Sequence, residues 1–562
     1  MPAKYPLSLC IAALPLVSAF ERIAGFSPAS NVVDYAALDL DMERIIYYLE
    51  KKDPSDYDRV YKIYTQGGSS ESTATITFPE GQDAIKRGDT VTGFNEAGSG
   101  SSTGTNEATG QVVYVNPVAT SIRIEYTVPE KNELSHAGCR VGGLAPEEHI
   151  TDGCFKISNG LTIGGNLYYP NSIDNTKAGR TLQELSLVTT DKMRSCSIGC
   201  PYWLFLQYAD WYGDDDYGDK FVKAAIGTPE TSFQPNKIGF TKHDMDFSNA
   251  ERKARFELIE KGAMLLTVWM YVYRMLEVAV DQCIPNVIAG NDPAVRSWDG
   301  AVAFYTGSLE GSAGALSKGV FPHNQADKRC HNFKTCGPGG GKIGGASMVN
   351  HKLFKILQTG QSALLMGECA ALPPLVREAV AQMTIPLLQG AIRYAQINSR
   401  TGGDTPAFPE KAAAEGTAFA AAVVPRIAAC PGGKDDAEFI WEAMKHGAYT
   451  PYPYKDIKSR FEKYYSCLNV TCAEVGGFFD NRESGGKYYP DSEPCFTPSP
   501  DALLDNGQIV GVVIGALVAC VLLFFSCVCV WRLVHNERKG VPIFTPLEPM
   551  QRDASNVPGA RA

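Results

Sequence analysis

The chain has 562 residues, length enough for two domains or one large one. With 44% apolar and 20% charged residues it has the make-up of a globular protein and not of a disordered one. Its formal net charge of −10, with no stripe rich in lysine or arginine, argues against nucleic acid as a partner.

Residues 1–19 read as a signal peptide. Lys4 gives the positive start, residues 7–16 the short apolar stretch, and 17–19 ("VSA") a small-residue cleavage site. Phe20 directly after it is similar to the "SAF" transition of algal plastid import, which makes a plastid-associated membrane the alternative destination. Residues 20–180 form an N-terminal helical and β-rich region. Apolar residues fall at helical spacing over 36–65, interrupted by Pro54. Over 73–170 the short alternating runs "TATITF", "QVVYV" and "SIRIEYTV" predict strands, separated by a Gly/Ser/Thr-rich stretch, with Cys139 and Cys154 expected to close a loop.

Helices dominate 181–480. They are expected over 181–193, 202–212, 219–225, 251–282, 298–309, 350–369, 374–397, 412–430, 436–445 and 456–465. The fold class is therefore mainly α, a helical bundle in one lobe or two, with a small β-rich N-terminal segment. Residues 481–508 are polar and proline-rich, a stalk. Residues 509–531 carry no charge and are long enough to span a bilayer as a single C-terminal transmembrane helix. Asp501 and Asp505 precede the span while Arg532, Arg538 and Lys539 follow it. The tail 532–562 is thus cytoplasmic and the chain a single-pass type I plasma-membrane protein. Of 16 cysteines, twelve fall outside the signal and the span, an even number in an oxidising compartment, so a disulfide-linked ectodomain is expected. Asn469, followed by Val470 and Thr471, is the one glycosylation sequon.

Several constellations could carry chemistry. In the long apolar helix over 251–282, Tyr273, Glu277 and Asp281 lie at i, i+4 and i+8 on one face. Buried acids need a partner: either Arg274 pairs with Glu277, or the stack is a hard-oxygen metal site inside the bundle. The stretch 298–311, "WDGAVAFYTGSLEG", adds Asp299, Tyr305 and Glu310. In an unbroken helix Asp299 and Glu310 would stand roughly 16 Å apart and could not share an ion. A turn at Gly307 would instead bring Tyr305 and Glu310 together. "QADKRCHNFKTC" holds Asp327, Arg329, Cys330, His331 and Cys336. Its C-x5-C spacing does not fit zinc and reads as structural disulfides. Arg329 either pairs with Asp327 or holds an anion, and Arg393 with Tyr394 stands in the same light; Glu415 is a cap or a polar anchor. The acidic run over 208–220 is a solvated connection or a cation-attracting patch, without EF-hand spacing. No H-E-x-x-H, H-x-x-E or G-x-S-x-G motif occurs, and "GPGGGKIGG" departs from a phosphate loop at Cys336 and Ile343.

Taken in order, "WDGAVAFYTGSLEG", "ADKRCHNFKTC", "MTIPLLQGAIRYAQ", "AEGTAFAAAVVPRIAAC" and "YYSCLNVTCAEVGG" resemble the low-iron-inducible iron-assimilation proteins of algae, the phytotransferrin family. The resemblance covers roughly 180–480. It implies a non-enzymatic surface protein that captures ferric iron with carbonate as a synergistic anion. Endocytosis and release in acidified endosomes follow, with the endocytic machinery as partner. The ligand candidates come from residue chemistry. Fe(III) is a hard cation suited to phenolate and carboxylate oxygens, here Tyr273, Glu277, Asp281, Asp299, Tyr305, Glu310 and Asp327. Carbonate needs a cation and N–H donors, here Arg329 and Arg393. These residues exceed one coordination sphere, so some have other work. The competing readings are a metal-dependent surface enzyme or ferric-reductase accessory, and an adhesion ectodomain without metal.

Overall fold

In the computed structural model, description covers residues 22–495 with gaps, and a few positions between 528 and 539. The longer gaps are 97–106, 128–154, 175–179, 195–202, 338–343, 400–408, 448–452 and 481–485. The signal segment 1–19, the Cys139–Cys154 loop and almost all of the 509–531 span therefore lie outside the described residues.

Two helices open the body, α1 (Leu38–Glu50) and α2 (Asp56–Gln66). The β-rich segment that follows is one antiparallel sheet of seven strands: β1 (Thr73–Thr77), β2 (Thr90–Glu96), β3 (Glu107–Asn116), β4 (Ser121–Thr127), β5 (Phe155–Ile163), β6 (Asn166–Tyr168) and β7 (Ser172–Asp174). Their order is β6-β5-β2-β3-β4-β1-β7. Period-two alternation puts Ile122 and Ile124, and Leu161 and Ile163, on one face, where they close a small core with Ile76, Val91 and Val112. The β5–β6 hairpin turns on Gly164 and Gly165, both at positive φ, as a two-residue hairpin of the I′ kind requires.

The remaining described helices longer than one turn are α3 (Leu182–Arg194), α4 (Trp203–Tyr212), α5 (Tyr217–Ile226), α6 (Arg252–Gln282), α7 (Asp292–Thr306), α8 (Pro322–Phe333), α9 (Met348–Met366), α10 (Leu372–Asn398), α11 (Pro409–Ala428), α12 (Lys434–Met444) and α13 (Tyr454–Glu462). Nine of the ten expected helices sit where the apolar spacing placed them, and the expected 298–309 helix is α7, shifted toward its N-terminus. The eleventh, α8, is additional. The helices share one apolar core with the N-terminal segment, so the described helices make one body and not two lobes. At its centre runs α6, the one described helix long and apolar enough to cross a membrane; 83% of its apolar window is buried in the protein. It widens to a π-helical segment over Ala263–Val268.

Two prolines inside helices have side-chain donors on carbonyls of the preceding turn. Pro425 of α11 has no N–H for Ala421, and the Tyr212 hydroxyl donates to the Ala421 carbonyl at 2.8 Å, with Tyr208 donating to Ala422. Near Pro386 of α10, Trp269 Nε1 donates to the Met383 carbonyl at 3.1 Å. Disulfides join Cys283 to Cys369, Cys330 to Cys336, Cys430 to Cys467 and Cys472 to Cys495. The compact body reaches Cys495, beyond the expected boundary at 480, because Phe478 stacks on Tyr489 at 4.4 Å and Ser492 is fully buried. Asn469 lies exposed in a turn at positive φ, a position open to glycosylation.

Candidate functional site

The break in the tryptophan-led helix is built by its neighbours. Helix α7 ends at Thr306, and Gly307 takes φ +80°. A Cβ at Gly307 would come within 2.3 Å of the Asp39 carboxylate, so only glycine fits. Asp39 accepts from the Ser308 hydroxyl at 2.7 Å and the Leu309 amide at 2.8 Å, holding the turned chain. Burial pushes the Asp39 carboxyl up to about 8, against the pull of those donors.

Beyond the break, Glu310 returns to the same region as Tyr305. Its carboxylate accepts from the amides of Ser317 and Gly319, each at 3.1 Å. Helix α8 then brings His323 and Asp327, four residues apart on one face. Asp327 accepts from the Ser347 amide, just before α9, and from Asn350 Nδ2, both at 2.8 Å. Asn350 in turn accepts from the Tyr305 hydroxyl at 2.7 Å. Tyr305, Glu310, His323 and Asp327 are all buried, the most open of them at 8% exposure. Burial, with the Asp327 charge added, raises the Tyr305 phenol well above its ordinary range.

His323 is the informative member. Its Nε2 lies 3.2 Å from the Gly344 carbonyl, which can only accept, so Nε2 carries the proton. Its Nδ1 is buried, has no hydrogen-bond partner, and faces Glu310 Oε1 at 3.8 Å. That distance is too long for a hydrogen bond. The Nδ1 lone pair thus looks toward a carboxylate. Among the described residues, His323 is the one basic group within 4 Å of either carboxylate in the cluster.

The other expected ligands are placed elsewhere. Asp299 accepts from the Ala29 amide, the Ser30 amide and the Ser30 hydroxyl at 2.8 Å each, and from Gln361 Nε2 at 2.6 Å. Four donors occupy it, and it sits about 120° around α7 from Tyr305, so it anchors the N-terminal segment and is not a ligand. Glu277 is paired with the Tyr273 hydroxyl, with Arg377 as its nearest cation, and burial lifts it to about 7. Arg274 is not its partner: it stacks over Tyr271 at 5.2 Å. Asp281, one turn on, is exposed at the end of α6, so the i, i+4, i+8 stack does not form a site. Cys330, His331 and Cys336 come within 4.8 Å of one another, but the disulfide takes both sulfurs. The acidic connection is knit by its own pairs, Lys223–Asp219 at 3.0 Å and Lys220–Asp214, the solvated-connection outcome.

Arg329 and Arg393 stand apart from the carboxylates. Arg329 follows Asp327 by two residues, about 200° around α8, and therefore faces the other way. It packs near Phe419 and the Tyr394 hydroxyl, with Arg393 and Glu415 close by. Burial lowers the Arg329 pKa, and burial followed by the Glu415 charge raises that of Tyr394. Next to them Glu257 pairs with Lys411 at 2.9 Å and Lys261 at 3.8 Å, and burial pushes Glu257 up to about 7. The expectation that these arginines would hold an anion bound to the same ion as Asp327 is thus corrected.

No protein-family model, no curated protein and no solved structure matches this chain.

Proposed function

We propose that this protein captures ferric iron at the Tyr305–Glu310–His323–Asp327 cluster, as a surface binding protein and not an enzyme. The carrying observation is the unpartnered His323 Nδ1 aimed at Glu310, His323 being, among the described residues, the one basic group within 4 Å of either carboxylate of the cluster. Ionised, Tyr305, Glu310 and Asp327 offer three anionic oxygens, which balance a trivalent hard cation, and His323 adds one nitrogen. The surrounding hydrogen bonds suit that role: Nε2–H to a backbone carbonyl orients the imidazole, and backbone amides orient both carboxylates.

Carbonate belongs to this reading as the synergistic anion. On the cluster's side of α8, the anion-friendly element is the N-terminus of α9, whose leading Ser347 amide already reaches Asp327. Delivery by endocytosis and release on acidification follow from the expected signal, the expected membrane span and the need of these ligands to lose protons before they bind.

The test is a ferric titration of the purified protein with and without bicarbonate. Phenolate-to-iron absorption is expected with both present, lost in Tyr305→Phe and weakened at least tenfold in affinity in His323→Gln. Iron binding undiminished in both variants would place the site elsewhere.

A further inference from the structure

We infer that Arg329 and Arg393 form a binding site for a small oxyanion, distinct from the proposed iron cluster and independent of it. Arg329 is only 8% exposed, yet its Nε and Nη1 are buried without a hydrogen-bond partner, and among the described residues no carboxylate forms an ion pair with it. Arg393, on α10, likewise leaves Nε buried and unpartnered while its guanidinium lies over the Tyr394 ring at 4.6 Å. The Tyr394 hydroxyl accepts from Arg329, which leaves Nε and Nη1 as the donors whose lost hydration nothing replaces.

The neighbouring acids are already engaged. Glu257 takes Lys411 and Lys261, Glu260 takes Lys261 at 2.5 Å, and Glu415 lies against the Tyr394 hydroxyl. Lys328 is exposed and lies near both Glu260 and Glu310, so it leaves no unbalanced charge here. The carboxylates Glu257, Glu260 and Glu415 thus face four cations: Lys261, Lys411, Arg329 and Arg393. The imbalance is resolved by an anion small enough to sit between two guanidinium groups. Arg393 and Glu415 are half-buried, so the cluster reaches the surface. Planar guanidinium donors fit phosphate, sulfate and bicarbonate alike.

The site is tested on the metal-free, full-length protein by thermal unfolding in phosphate, sulfate or bicarbonate, with sodium chloride holding ionic strength constant. A saturable rise in Tm with at least one of the three is expected, and the arm that saturates lowest names the anion. Arg329→Met should abolish that rise while leaving the Tm in chloride unchanged or higher, since an uncompensated charge has gone. Arg393→Gln, at a half-buried position that tolerates change, should raise the half-saturating concentration about tenfold, the equivalent of one charge-assisted hydrogen bond. It carries the test should Arg329→Met not fold. An unsaturable rise equal in wild type and variants, or no rise with any anion, overturns the inference. Because no iron is present, either failure leaves the proposed iron site untouched.

Discussion

Asp299 separates an anchor from a ligand, and its replacement by alanine tests which it is. The carboxylate accepts four hydrogen bonds, three from Ala29 and Ser30 and one from Gln361, and is fully buried. Hydrogen bonds to a charged group contribute about 1.5–3 kcal/mol each, but part is offset by the cost of burying the carboxylate, which is why its pKa is raised. Loss of the whole set, with donors left unpaired, gives an expected destabilisation of about 3–5 kcal/mol. Urea unfolding measures it, and limited proteolysis should show faster cleavage before residue 32 as the N-terminal segment detaches. Ferric affinity, measured under conditions where the variant is folded, should stay within a factor of about 2, well under one lost metal–ligand bond. A stability loss below about 1 kcal/mol, or a collapse of iron binding in the folded variant, would refute the anchor assignment.

The pH dependence of stability should run opposite to simple acid unfolding over the mildly acidic range. Asp39, Glu257 and Glu277 are raised by burial to about 8, about 7 and about 7. The unfolded chain releases these protons near pH 4 while the folded one keeps them to pH 7–8, so the folded state binds more protons in that window and stability falls as pH rises through it. Urea midpoints from pH 5 to 8 should fall, and Asp39→Asn should flatten the slope; a rising midpoint contradicts the assignment. The Cys283–Cys369 bridge closes a separation of 86 residues. Replacing both cysteines by serine should cost about 4–5 kcal/mol by the chain-entropy relation, read from chemical unfolding, and an unchanged midpoint would deny the bridge.

Legibility in the sequence followed periodicity. The long helices announced themselves through apolar spacing over ten residues or more, and the buried character of α6 followed from its apolar residues on nearly every face. The break after Thr306 was readable because two glycines interrupt a strong stripe, although its builder, Asp39, lies far away in sequence and was not. The role of Asp299 was hidden for the same reason: its donors are 270 and 269 positions away and its side chain alone cannot name them. The alternation of β2, β5 and β6 is interrupted by Gly93, Gly160, Gly164 and Gly165, and β7 is only three residues long, too short to show a period.

Helix α8 is the most telling omission. It starts with Pro322 in its first turn and ends on Lys334 at φ +58°, both ordinary helix punctuation. Yet the residues it buries include His323, Asn324, Gln325, Asp327 and Arg329, so no apolar stripe marks it as a helix. A pattern search assumes that the inward face is apolar, and it fails where the inward face is polar. That failure has a physical meaning. Burying five polar side chains on one twelve-residue helix costs stability at each of them unless each finds a partner, and four of them keep a buried atom without one: His323 Nδ1, Asn324 Nδ2, Gln325 Nε2, and Nε and Nη1 of Arg329. His323 keeps an empty Nδ1 on one side of α8, and Arg329 keeps an empty Nε and Nη1 on the other. One is a lone pair asking for a cation, the other a pair of donors asking for an anion. The two proposed ligands thus flank a single helix, each held by its own side chains.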